Sequence, residues 1–185
     1  MKTANIKQFE IEGMNSGRRY LVIGIAALVI SCSMPLVIAA QERAFIATGV
    51  ELARVVPPGF YFQGLSAPTQ MRNAAAARFG SDRRVIAGLV DTSGYAADVR
   101  AKYEGFLITD SDISINGRSL KIGAYGFGFS NDGKLNIMNL AGTEILSVST
   151  TRDRSLRRPR PLMMSADATG ARLYSGRDYV VISAN

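Results

Sequence analysis

The 185-residue chain has no histidine and no tryptophan, and its one cysteine is Cys32. Without histidine there can be no Ser-His-Asp or Cys-His nucleophile, no His-containing zinc site and no ordinary neutral-pH acid–base side chain. Without tryptophan, the strongest stacking platform for sugars is missing. A lone cysteine forbids an internal disulfide. No cofactor and no metal is expected, and the missing residue types argue against an enzyme.

What is present begins with a leader. Lys2, Lys7, Arg18 and Arg19 precede an apolar run from Tyr20 to Ala40, uncharged from Leu21 onward and ending in Ile38-Ala39-Ala40 before Gln41. A positive segment, an apolar segment and small residues at a cut site make an export signal, so residues 1–40 read as a signal peptide cleaved after Ala40. Two other fates compete. Val29-Ile30-Ser31-Cys32 resembles a lipobox, which would end a lipoprotein signal at Ser31 and make Cys32 the lipidation candidate. The apolar run continues past Cys32 through Pro35 to Ala40, where a lipoprotein tether is usually polar. An uncleaved anchor over 21–40 is the third fate, because about 20 apolar residues can span a bilayer. Pro35 and Ser31-Cys32-Ser33 weaken it, and cleavage is the favoured reading. Gly17-Arg18-Arg19-Tyr20-Leu21-Val22 also resembles a twin-arginine signal, but paired arginines before an apolar run are common. The expectation is an exported protein, periplasmic or secreted, with membrane anchoring through Cys32 or residues 21–40 as the alternative.

Cleavage after Ala40 would leave 145 residues, with 18 Lys and Arg against 13 Asp and Glu. That suits a single basic domain able to bury roughly 70% of its unfolded surface without cystines. Residues 41–58 read as a helical spacer, since Phe45, Ile46, Val50, Ala53 and Val56 fall near helical spacing and Pro57-Pro58 stops the run. Residues 59–185 read as a β-rich domain. Phe60-Tyr61-Phe62 and Arg84 to Val90 are strands, and Tyr95 to Tyr103 reads as a short helix with Ala96, Val99 and Tyr103 inward. Gln70 to Phe79 is open: its four alanines favour helix and its flanks suit a strand. Beyond Glu104, short apolar runs alternate with turns. Asn116-Gly117 accepts positive φ at both positions and joins Ile113–Ile115 to Leu120–Ile122 in a hairpin of two or four loop residues. Asn131-Asp132-Gly133, Ala141-Gly142, Ala168-Thr169-Gly170 and Ser175-Gly176 separate further strands. The fold class is mainly β, a single antiparallel sandwich or small barrel with one or two short helices.

Two stretches are candidates for binding. In Gly123-Ala-Tyr-Gly-Phe-Gly-Phe129, alternation puts Tyr125, Phe127 and Phe129 on one face and Ala124, Gly126 and Gly128 on the other. Tyr125 and Phe127 could line a groove for an apolar or sugar ligand. The blander reading, favoured here, is core aromatics with glycines where the sheet coils. In Thr151-Arg-Asp-Arg-Ser-Leu-Arg-Arg-Pro-Arg160, Arg157, Arg158 and Arg160 could donate paired hydrogen bonds to phosphate, sulfate or carboxylate groups. Anionic envelope lipid or polysaccharide is the partner expected. Nucleic acid is not, because the loop lacks interleaved aromatics. Membrane contact through the leader would require that it stay uncleaved or lipidated. The alternative to binding is a solvated connection with a few arginines bracing carboxylates.

Weaker constellations fail on their templates. Asp110-Ser-Asp112-Ile-Ser114-Ile-Asn116-Gly117 alternates oxygen ligands but has Ile115 and Lys121 where a calcium loop needs glycine and glutamate. Asp110 and Asp112 could share a strand face, or join Glu104, in a carboxylate-based hydrolase. Gly64-Leu-Ser66-Ala-Pro68 lacks the last glycine of a nucleophile elbow.

Ala87-Gly-Leu-Val-Asp-Thr-Ser-Gly-Tyr95, Tyr103-Glu-Gly-Phe-Leu-Ile-Thr109, Gly123 to Phe129 and Leu173-Tyr-Ser-Gly-Arg-Asp-Tyr-Val180 together resemble a group of small exported bacterial proteins without assigned function. The resemblance covers most of residues 60–182. It implies an exported β-rich domain and brings no catalytic residue, cofactor or substrate. The reading is therefore an exported β-rich binding or structural envelope protein. The alternatives are a small barrel holding an apolar or sugar ligand, and a carboxylate-based hydrolase.

Overall fold

A computed structural model describes residues 43–184, which lie within one compact unit, Ala40–Asn185. The leader, Cys32 and the cut after Ala40 lie outside the described residues. Among the described residues the fold is mainly β, with two antiparallel sheets and two short helices. The first sheet follows the order β1 (Ala44–Ile46), β3 (Leu65–Phe79), β4 (Arg83–Val90), β5 (Gly105–Thr109), β8 (Gly123–Ser130), β9 (Lys134–Met138) and β10 (Glu144–Ser149), with β2 (Gly59–Phe62) paired to β3. The second follows β12 (Arg160–Asp167), β13 (Gly170–Gly176), β14 (Asp178–Ala184), β6 (Ile113–Ile115) and β7 (Arg118–Leu120), with β11 (Thr151–Arg152) on β14.

Period-two alternation decides what fills the space between the sheets. Val85, Ala87, Leu107, Phe127, Leu135 and Ile137 of the first sheet share a buried cluster with Ile113, Ile115, Leu162, Leu173, Val180 and Ile182 of the second. The hairpin β6–β7 leaves the first sheet's meander and pairs with β14, placing Ile115 opposite Ile182. Asn116 and Gly117 have φ of 46° and 79°, and Ile115 pairs with Arg118, so the loop has two residues. Both positive angles are those of a type I′ turn. The Asn116 side chain continues the pairing where the backbone turns away. Its Oδ1 accepts from Val181 N at 2.7 Å, and its Nδ2 donates to the Ser149 carbonyl at 2.8 Å. One turn residue thus ties β14 to the end of β10.

The first sheet is covered on its outer face as well. Phe60, Phe62, Tyr95, Tyr103, Phe106 and Val90 form a second buried cluster there. Phe62 stacks on Tyr103 with ring centroids 4.0 Å apart, and Phe60 stacks on Phe106 at 5.0 Å. Strand β3 makes this possible by changing partners along its length. Its first part pairs with β2, its last part with β1 and β4, and the register breaks between Thr69 and Ala74. Pro68 has no N–H to give a ladder, which suits it to that margin.

One open local reading is resolved and two expectations change. The alanine-rich stretch is strand, because Ala75 and Ala77 pack between the sheets and Ala76 on the opposite face, a two-sided burial that overrides alanine's helix preference. Of the helical spacer expected over residues 41–58, only α1, Gly49–Val55, is helix among the described residues, and Ala44–Ile46 is an edge strand opposite Ala77–Phe79. The helix expected from Tyr95 to Tyr103 is the single turn α2, Ala97–Arg100. Tyr95 and Tyr103 are buried beside it and Ala96 is exposed.

Candidate binding surface

The arginine segment between β10 and β12 is built on two anchors. The Asp153 carboxylate accepts from Ser155 N at 2.9 Å, Ser155 Oγ at 2.6 Å, Leu156 N at 3.2 Å and, with its other oxygen, Tyr174 Oη at 3.1 Å. These bonds, led by the Ser155 hydroxyl, hold its pKa below the usual carboxylate range despite opposing desolvation. Arg177 is the second anchor: its Nη1 donates to the Leu156 carbonyl at 2.6 Å, and its own carbonyl accepts from Asp153 N at 2.8 Å. Arg152 pairs with Asp178 at 3.3 Å. The bracing is thus done by Arg152 and Arg177. Arg157, Arg158 and Arg160 are exposed, and among the described residues their guanidinium groups have no hydrogen-bond or ion-pair partner.

Segment and strand meet at Arg160, which pairs with Gly176, and the β12–β13 register shifts between Arg160 and Met163. Cavities lie beside this point on both sides. One, of about 270 Å³, has walls from Ile46, Leu52, Ala74, Leu162 and Met163 with Arg160 among them. The other, of about 290 Å³, has a mixed lining in which Gln70, Thr92, Arg100, Glu104 and Ser175 lie beside Leu89, Val90 and Pro161. Glu104 is its distinctive group. Its Oε2 accepts from Phe129 N at 3.1 Å, yet burial outweighs that bond and raises its pKa. No ion pair joins it to Arg100 among the described residues. Tyr103 lines the same cavity, and its hydroxyl is buried without a well-formed hydrogen bond, so that burial raises its pKa.

The other residues singled out from sequence are dispersed. Phe127 is fully buried between the sheets, edge-to-face with Phe129 at 5.9 Å. Tyr125 is half-buried and donates its hydroxyl to the Lys121 carbonyl at 2.9 Å. The bare face of that strand is occupied: a Cβ at Gly126 would strike the Phe62 ring, and one at Gly128 the Lys102 carbonyl. Asp110 accepts from Arg84 N at 2.6 Å, and Asp112 from Lys121 Nζ at 2.6 Å and Ile122 N at 3.0 Å. Neither lines the Glu104 cavity. Among the described residues no group of three or more acidic or cysteine side chains could hold a metal, and no helix is long and apolar enough to cross a membrane.

Sequence reading alone missed both cavities. Their walls come from segments as distant as residues 46, 74 and 163, or 70, 104 and 175, and no local spacing announces such convergence. In comparisons with known proteins, no family model, no curated protein and no solved structure matches the chain.

Proposed function

We propose that this is an exported, non-catalytic domain of the cell envelope that binds anionic lipid or polysaccharide through Arg157, Arg158 and Arg160. The observation that carries the reading is the contrast within one segment. Asp153 and Arg177 fix its backbone, while the three arginines beyond them stay exposed without carboxylate partners. Ordering such a loop before binding lowers the entropy lost on association. The space between the sheets is occupied by side chains, which favours a sandwich over a barrel with an apolar lumen.

Replacing Arg157, Arg158 and Arg160 together by alanine should weaken association with phosphatidylglycerol vesicles or dextran sulfate by about tenfold or more at low salt, and flatten its salt dependence. Unchanged binding with an unchanged salt slope would refute the role.

A second reading is favoured by one specific observation, the half-buried Glu104 in a cavity also lined by Arg100 and Gln70. Burial lets this carboxyl keep its proton to higher pH than an exposed one, and while protonated it can donate a hydrogen bond to a hydroxylated ligand such as a sugar. Loss of saccharide binding in Glu104→Gln, with anion binding intact, would favour that site over the arginine segment. The carboxylate-based hydrolase has less support, because two-carboxylate glycoside chemistry needs a second acid within about 10 Å, and Asp110 and Asp112 serve other turns.

A further inference from the structure

The cavity beside Arg160 lies at the seam where the two sheets are not stitched together. Strand β12 runs close to β3 and β1, but no ladder joins them. On the opposite side of the molecule Asn116 bridges β14 and β10. Side chains alone bridge the seam, and they leave an opening of about 270 Å³. Its walls are Ile46 and Leu52 from the β1–α1 segment, Ala74 from β3, and Leu162 and Met163 from β12. Small ligand cavities begin at about 300 Å³, so the space suits a medium-length chain and not a whole lipid. Methionine is unbranched and adapts to irregular apolar shapes, which fits Met163 to a wall that must tolerate chains in several conformations. The cover is light. Helix α1 has seven residues, no buried residue and no side-chain cap on its first turn.

Arg160 decides what kind of chain. Its guanidinium is exposed and without partner among the described residues, and it is the one charged side chain in a lining whose other side chains are aliphatic apart from Thr48. A neutral alkane would leave that charge unused, and a cationic amphiphile would be repelled. We infer that the seam cavity binds the acyl chain of an anionic amphiphile, with Arg160 holding its carboxylate or phosphate at the mouth. The inference deepens the proposed anion-binding role and rests on it at Arg160. A free fatty acid and an acidic lipid share the chemistry required.

Photolabelling tests this on the full chain in phosphatidylcholine nanodiscs, with a diazirine-bearing laurate read out by peptide mass spectrometry. Labels should concentrate in residues 46–52 and 160–164. Unlabelled laurate should compete about tenfold better than dodecanol, the gain of a charge-assisted contact, and dodecyltrimethylammonium should not compete. Arg160→Ala should erase the advantage of laurate over dodecanol, and Ala74→Phe should block labelling by filling the space. Should Ala74→Phe fail to fold, Leu52→Trp on the exposed helix obstructs the same space and is expected to block labelling equally. Labelling spread over other surfaces, or unaffected by the filling variants, overturns the inference. Competition by phosphatidylglycerol added to the discs identifies a membrane lipid as the source; competition by laurate alone identifies a free fatty acid. Dextran sulfate binding on the same preparation separates the two claims. If Arg157→Ala and Arg158→Ala leave it unchanged while labelling follows Arg160, the broader anion-binding role falls and the cavity assignment stands.

Discussion

At the scale of single residues, charge and shape are decided by close neighbours. Glu104 is half-buried, and burial raises its pKa while the Phe129 N–H partly opposes the shift. In the unfolded chain the same carboxyl ionises in its ordinary range. The native state therefore binds the proton more tightly, and the stability this contributes is complete at pH values below the ordinary carboxylate range. It is lost as the pH rises through the ordinary value to the raised one. Glu104→Gln keeps an acceptor for Phe129 N and removes the titration. The variant should gain stability relative to the parent as pH rises through and above the ordinary carboxylate range, measured as the difference between urea midpoints. Taking a difference matters because Asp91, Asp112, Asp132, Asp153 and Asp167, all with lowered pKa values, slope the other way. A parallel pair of curves would show that Glu104 is effectively solvated.

Gly126 tests shape. The Phe62 ring lies where its Cβ would be, and that ring is held by Tyr103 on one face and by Tyr95 at its edge. A ring so confined cannot swing away. Gly126→Ala should cost about 1–3 kcal/mol by overpacking, and adding Phe62→Leu should recover part of the loss in a double-mutant cycle. The alternation of glycine and aromatic in this strand is readable from sequence, since a period of two needs only local information. What would press on the glycines was not readable, because Phe62 is more than sixty residues away.

At the scale of elements, turns were legible and partners were not. Asn116-Gly117 dictates its hairpin through a conformational preference carried by two residues. The alanine run of β3 carries no comparable instruction: its strand state follows from β4 and β1 on either side and from cores on both faces. The arginine segment shows the same division. Its charge is plain in the sequence, whereas its fixation depends on Tyr174 and Arg177, which arrive only when β13 and β14 pair. Asp153→Ala removes the acceptor for four hydrogen bonds at once. The segment should then open locally while the sheets stay folded. Limited trypsin digestion reads this directly, since Arg154–Ser155 and Arg157–Arg158 are cleavable bonds, whereas Arg158 and Arg160 each precede proline. Cleavage at those two bonds should accelerate at least severalfold in the variant with the thermal transition of the domain little changed. Equal cleavage rates would mean that Arg177 alone fixes the segment, and the preorganisation argument for anion binding would weaken with it.

At the scale of the whole molecule, the first sheet is shared property: one face belongs to the core between the sheets, the other to the aromatic cluster under β2 and α2. Phe127 and Phe62 are both fully buried, on opposite faces of that sheet. Truncating either to alanine removes a similar apolar volume, and in isolation each loss would cost about 3–5 kcal/mol. The consequences should nevertheless differ. Phe127 touches the cluster that joins both sheets, so its loss lowers the stability of everything and should shift the global unfolding midpoint by the full amount. Phe62 joins the outer hairpin to the sheet, and β3 passes from one to the other across the register break at Thr69–Ala74. That break can act as a hinge at which the hairpin detaches while β4, β5 and β8 remain paired. Phe62→Ala should accordingly release the amides of β2 and of residues 65–68 to hydrogen exchange, and leave those of residues 106–108 protected nearly to the global limit. If Phe62→Ala deprotects residues 106–108 as strongly as Phe127→Ala does, the two clusters form a single cooperative unit and the break in β3 is no hinge.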